Sequence, residues 1–145
     1  MAMTEISFHF NVGDRSAYAC RLLRKATRRG ARVTVTAPGD TLALLDRQLW
    51  AFDPVEFLPH LQLPPDATPG PRAQATPIWL VEDPSRLDRH EVLLNLGTAL
   101  PCGFESFEKL IEIVSTAEDD RAAARMRWKH YASRGYPITR HEVPA

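Results

Sequence analysis

Apolar and polar residues alternate at the start of the chain. Ile6, Phe8, Phe10 and Val12 are separated by Ser7, His9 and Asn11, the two-residue period of a strand with one buried face. Asp14 then offers a helix cap, and Ala17, Tyr18, Leu22 and Ala26 recur at helical spacing until Gly30 provides a stop. The other side of this helix carries Arg21, Arg24, Lys25, Arg28 and Arg29. Ala31 to Ala37 is rich in β-branched residues and closes at Pro38-Gly39, which predicts a second strand and so a parallel crossover unit. A second helix is predicted from about Asp40 to Trp50, with Leu42, Leu45 and Leu49 on one face and Phe52-Asp53-Pro54 ending it. A short apolar segment, Val55 to Leu58, follows.

From Pro59 to Pro77 there are six prolines and one glycine, which predicts one long loop over 59–77. Ile78 to Val81, Val92 to Leu96 and Leu110 to Val114 are short continuous apolar runs, the pattern of strands covered on both faces. The last regular element predicted is a helix over Ala117 to Arg134, stopped by Gly135 and Pro137. Together these elements predict one α/β domain over 1–145, three layers deep, with a mainly parallel sheet and helices on both faces.

Composition changes this picture little. The chain has 145 residues, 44% apolar and 25% charged, enough for one substantial core. Eighteen Lys and Arg balance eighteen Asp and Glu, so no whole-molecule field gathers nucleic acid, and an acidic partner has to use a local patch. Cys20 and Cys102 form no CxxC pair and are expected as reduced, buried thiols. The first ten residues lack a basic start and an apolar run, and nowhere do eighteen apolar residues run together, so a cytoplasmic protein without membrane attachment is expected.

Most chemistries lack their residues. The turn Asn11-Val12-Gly13-Asp14-Arg15 has one glycine where phosphate cradles need several, and GxGxxG and GxxxxGK[ST] are absent. His9, His60, His90, His130 and His141 show no HxH or HExxH spacing, and neither cysteine lies near one, so no metal site is expected. Asp53 with Glu56, and Glu118 with Asp119 and Asp120, sit where helix ends and turns ordinarily hold acidic residues. No GxSxG elbow surrounds Ser106, Ser115 or Ser133. No catalytic residue and no cofactor are expected.

The final helix is more informative. At 100° per residue, Arg121, Arg125, Trp128, Lys129 and Ala132 share one sector, and Ala122, Ala123, Met126 and His130, expected as the core face, share another. No acidic side chain follows Asp120 until Glu142. Guanidinium groups beside an indole suit an acidic, partly apolar peptide, although isolated cations on a helix face also suit phosphate. A direct nucleic-acid-binding module using this face and the basic face of the first helix is therefore the alternative. A second surface is suggested by Leu49-Trp50-Ala51-Phe52 and Phe57-Leu58-Pro59-His60, an excess of apolar groups for a domain of this size.

These residues also carry a likeness. Leu45-Asp46-Arg47-Gln48-Leu49-Trp50, then Phe57-Leu58-Pro59-His60, then Arg89-His90-Glu91-Val92-Leu93-Leu94-Asn95-Leu96, and the ending from Arg125 through Trp128-Lys129-His130-Tyr131 to Gly135-Tyr136 resemble, in the same order, the chi subunit family of bacterial DNA polymerase III. The resemblance spans essentially the whole chain. It implies a non-catalytic adaptor, a monomer or one half of a heterodimer, that binds the acidic, apolar C-terminal tail of single-stranded DNA-binding protein and reaches DNA mostly indirectly. The positions matching the family's tail pocket are Val114, Arg121, Arg125, Trp128, Lys129 and Tyr131; Trp128 stands where the pattern commonly has a smaller aromatic. Trp50, Phe57 and Pro59 match the face that meets the psi subunit, or sometimes a helicase, linking chi to the clamp loader.

Overall fold

The computed structural model describes residues 3–52, 57–64 and 68–144. The strands are β1 (Glu5–Val12), β2 (Val33–Thr36), β3 (His60–Gln62), β4 (Ile78–Val81), β5 (Val92–Asn95), β6 (Lys109–Ser115) and β7 (Ile138–Glu142); the helices are α1 (Arg15–Arg28), α2 (Gly39–Ala51), α3 (Pro71–Ala75) and α4 (Glu118–Ser133). They form one sheet in the order β3-β4-β2-β5-β6-β1-β7, and every pairing is parallel, as crossover connections require. The α/β expectation therefore holds, with the sheet wholly parallel among the described residues.

Two core layers follow from the pleat. On one face Val33, Val35, Ile78, Leu80, Leu94 and Ile113 pack under α1 and α2, which contribute Ala19, Cys20, Leu23, Leu42, Leu45 and Leu49. On the other, Ile6, Phe8, Leu93, Leu110 and Val114 pack under Ala124 and Tyr131 of α4, while Trp79 and Val81 pack against Leu63 and Ala73. Each fully buried leucine contributes about 1.5–3 kcal/mol. Asp14 caps α1 by accepting from the Ala17 N–H at 3.1 Å, and Gly30 ends it in the left-handed region at φ 82°. The innermost face of α1 is Ala19, Cys20 and Leu23; Tyr18, Leu22 and Ala26 pack at its margin, half-buried.

Several expectations change. Val12 does not share the face of Ile6, Phe8 and Phe10. Asn11 adopts φ 65° and the β1–β6 register shifts between His9 and Val12, so this bulge turns Val12 into the layer beneath α1 and α2. Segment 59–77 is not one long loop, since β3 pairs with β4 and α3 begins at Pro71, where proline's missing N–H costs nothing. The segment 53–56, with Asp53 and Glu56, and residues 65–67 lie outside the described residues. α4 is not the last element, because β7 follows it. Cys102 is exposed; only Cys20 is buried.

The inward face of α4 is not Ala122, Ala123, Met126 and His130. It is Asp120, Ala124, Arg127 and Tyr131, while Met126 is 66% exposed. Polar side chains occupy inward positions because the sheet beneath supplies their partners.

Candidate functional site

α4 crosses over β1 between β6 and β7, and leaves a cleft of about 610 Å³ beside its first half. Phe8, Phe10 and Asn11 of β1 and Val114 of β6 line it from the sheet, and Ser115 and Thr116 line it where β6 turns into α4. Arg121, Ala124, Arg125 and Trp128 form the helix wall, and Arg140 and Glu142 of β7 the opposite one. The Asn11 bulge belongs to this site: the Asn11 amide donates to the Val143 carbonyl at 3.1 Å and ties the end of β7 to β1. Asp120 fixes the β6–α4 turn, its carboxylate accepting from the Ser115 N–H at 2.7 Å with Arg15 at 3.8 Å.

The cleft is apolar at its floor and cationic at its rim. Trp128 packs against Phe8 with ring centroids 5.1 Å apart, and Val114 is buried beside it. Arg125 lies 3.1 Å and Arg121 3.8 Å from the Glu118 carboxylate, one or two turns earlier on α4. An acidic neighbour therefore does reach these cations, from before the helical run rather than after it. Both arginines are more than half exposed, so such contacts are worth about 0–1 kcal/mol and a ligand carboxylate can replace them. Chemically the cleft can hold a carboxylate beside an apolar side chain. No histidine or cysteine is among the described residues that line it.

Of the six residues matched by resemblance to a tail pocket, Val114, Arg121, Arg125 and Trp128 line this cleft together. Lys129 is exposed on the same side of α4 but is not part of the lining. Tyr131 lies beneath it, fully buried, seven residues after Ala124 on the inward stripe. Its hydroxyl donates to Glu112 Oε2 at 2.6 Å. Glu112 stands opposite Asn95 in the β5–β6 register, accepts from the Asn95 amide at 2.9 Å, and lies 3.2 Å from Arg127 Nε. That last contact is chiefly electrostatic, because the Nε–H does not point at the oxygen. Arg127 also donates to the Thr98 carbonyl at 2.8 Å. Burial raises the Glu112 carboxyl above its ordinary range despite Arg127 beside it, and burial together with Glu112 raises the Tyr131 phenol.

Trp50, Phe57 and Pro59 stand away from the cleft. Trp50 is 59% and Phe57 56% exposed, and their rings stack with centroids 4.8 Å apart. His60 supports them from a buried position, edge-on to Trp50 at 5.0 Å, with Nδ1 2.7 Å from the Leu58 carbonyl and Nε2 3.1 Å from Asp46. On the basic face of α1, Arg24 lies over the Phe52 ring at 4.9 Å and Arg21 over Tyr18 at 5.8 Å. Sequence reading missed Phe10, Asn11 and Arg140 as cleft residues, the last because β7 itself was missed. The signal for β7 was weak: Ile138, Arg140 and Glu142 alternate with Thr139 and His141, and both sets are largely polar.

Among the described residues no group of three His, Cys, Asp or Glu side chains is placed to hold a metal ion, and no helix is long and apolar enough to cross a membrane. Fold and site thus define a class: a parallel three-layer α/β domain that carries an open, cation-rimmed apolar cleft instead of a glycine-rich phosphate cradle. Residues 3–139 match the family described as DNA polymerase III chi subunit, HolC. The chain is 31% identical to DNA polymerase III subunit chi of Pseudomonas aeruginosa over 147 aligned positions, covering 98% of this chain and 99% of that protein. It is 33% identical to DNA polymerase III subunit chi of Haemophilus influenzae over 129, covering 86% and 85%. The chain belongs to the DNA polymerase III chi subunit family.

Proposed function

We propose that this chain is an adaptor in DNA replication whose cleft binds the acidic, apolar C-terminal tail of single-stranded DNA-binding protein. The observation that carries this reading is the meeting of Arg121 and Arg125 with an apolar floor of Phe8, Phe10 and Val114 walled by Trp128. A cation beside an apolar socket suits a chain end that carries a carboxylate and a hydrophobic side chain at once. In this reading Arg125 meets the terminal carboxylate, Arg121 and Lys129 attract the acidic residues before it, and Val114 and Trp128 enclose the apolar side chain. Tyr131 acts from below by holding α4 on the sheet. Trp50, Phe57 and Pro59 form the second docking surface, for a psi subunit or a helicase, and thereby join the clamp loader to the coated strand.

The chain transfers no nucleotide itself, needs no cofactor, works in the cytoplasm and meets DNA chiefly through its partner. Many tails coat one DNA strand, so a weak single contact becomes strong retention through effective concentration, by roughly 10²–10⁴. The test is fluorescence anisotropy with a labelled short acidic peptide ending in Pro-Phe, the same peptide amidated at its C terminus, and single-stranded DNA. Binding of the free acid, weakened by amidation and by Arg125→Ala, is expected. DNA binding without a peptide response would sink the adaptor reading and favour the basic face of α1.

A further inference from the structure

The helix wall of the cleft has two cations that share Glu118, whereas the strand wall has a third with different surroundings. Arg140 lies on β7, which forms the edge of the sheet with Ile138 half-buried and the rest of the strand exposed. Hydrogen bonds from the Ile6 N–H to the Pro137 carbonyl at 3.0 Å and from the Val143 N–H to the Phe10 carbonyl at 2.9 Å bracket the β1–β7 ladder. In a parallel ladder alternate residues point their backbone groups at the neighbour, so those of Arg140 face the open edge. Its side chain turns toward α4, with the guanidinium 5.3 Å from the Phe10 ring centroid and 5.8 Å from that of Trp128.

Stacking on two rings orients this cation without neutralising it. Among the described residues no carboxylate lies within ion-pair distance of Arg140, in contrast to Arg121 and Arg125. Glu142, two residues on and also lining the cleft, places negative charge at the far end of the same wall.

We propose that Arg140 is a specificity-determining residue of the cleft, which reads acidic side chains upstream of the ligand's last residue from the strand side, facing Arg121 and Lys129 on α4, while Arg125 holds the terminal carboxylate. This rests on the tail-binding reading. A ligand lying between the two walls passes Arg140 before its end reaches Arg125, and Glu142 repels an acidic chain laid toward the other end of β7. Specificity for acidic tails is then divided between Arg125, which recognises the terminus, and cations on both walls that recognise what precedes it, with Arg140 the strand's share.

The test pairs the protein and its Arg140→Ala and Arg140→Lys variants with two labelled peptides ending in Pro-Phe, one rich in Asp and one with every Asp replaced by Asn. Dissociation constants are measured by anisotropy across a salt series. Arg140→Ala is expected to weaken the Asp peptide by about fivefold, to leave the Asn peptide within about twofold, and to flatten the salt dependence, with Arg140→Lys retaining most of the affinity. Equal weakening of both peptides would reduce Arg140 to packing against Trp128 and overturn the proposal, as would no effect on either. If the unmodified protein bound neither peptide, the tail-binding reading itself would fall, a result distinct from binding that ignores Arg140. Matching thermal melts of the three proteins establish that each is folded.

Discussion

Arg125 and Arg127 stand two residues apart on α4, and helical geometry sends them to opposite fates. Arg125 is more than half exposed and pairs directly with Glu118 at the surface, whereas Arg127 is buried against Glu112 and the Thr98 carbonyl. The first contact is worth little in water and leaves its cation available. The second cannot be opened cheaply, because a buried charge without its partner costs several kcal/mol. Burial, not residue type, decides which arginine binds and which one builds. The network of Asn95, Glu112, Arg127 and Tyr131 presses α4 onto the sheet, so that its outward cations face β7 across a fixed gap.

Removing the buried arginine should have the largest effect. Arg127→Ala should cost about 3–5 kcal/mol in urea unfolding, since Glu112 is left uncompensated, and pairing Arg127→Met with Glu112→Leu should restore only part of that loss, because Asn95 and Tyr131 then lose their acceptor. Next in size, Arg125→Ala should weaken binding of the acidic Pro-Phe peptide by about tenfold or more while shifting unfolding free energy by less than about 0.5 kcal/mol. Tyr131→Phe removes the phenol that donates to Glu112 and should cost about 1–2 kcal/mol of stability, with peptide affinity unchanged within about twofold. An Arg125 variant that unfolds, or an Arg127 variant as stable as the parent, would erase the distinction.

A smaller effect separates stability from binding by pH. His9 stacks beside His141 at 5.0 Å and meets Tyr18; burial first, then His141 and Lys25, holds its pKa down at about 4, against an ordinary 6.5. The folded value lies below the unfolded one. Neutral His9 therefore stabilises the fold above about pH 6.5, and that contribution is lost as pH falls through about 4. Because the site is only half-buried, the loss should be on the order of 1 kcal/mol, read as a falling urea midpoint that His9→Gln flattens. No histidine is among the described residues that line the cleft, so His9→Gln should leave the pH dependence of peptide affinity unchanged, that dependence being set by the peptide's own carboxylates near pH 4.

The sequence revealed elements where hydrophobicity alone decided them. The alternation of β1, the leucines of α2 and the apolar runs of β4, β5 and β6 were legible because the sheet is buried on both faces. Legibility failed where polar groups are buried or where strands are exposed. The inward stripe of α4 holds Asp120, Arg127 and Tyr131, whose partners come from β5, β6 and the turns around them, and a hydrophobic pattern cannot announce a satisfied polar core. β7 is an exposed edge with no apolar face, and without it Arg140 had no place in the cleft. β3 is three residues long and lies in a proline-rich segment that ordinarily denies strands. The cation and indole on the outer face of α4 were found by helical spacing. That Phe10 of β1 meets them required the tertiary fold.

The chain has three tryptophans in three settings: Trp79 buried with its indole donating to the Ala73 carbonyl, Trp50 exposed on the second surface, and Trp128 on the cleft wall. Their indole N–H signals in a heteronuclear NMR spectrum, assigned by single Trp→Phe variants and followed during titration with the free-acid Pro-Phe peptide, locate the peptide on the protein surface. The Trp128 signal is expected to move with peptide concentration while those of Trp50 and Trp79 stay in place, and amidating the peptide or introducing Arg125→Ala is expected to diminish the shift. Movement of the Trp50 signal with Trp128 unchanged would contradict that expectation, and would put the tail on the aromatic surface of α2 instead of the cleft beside α4.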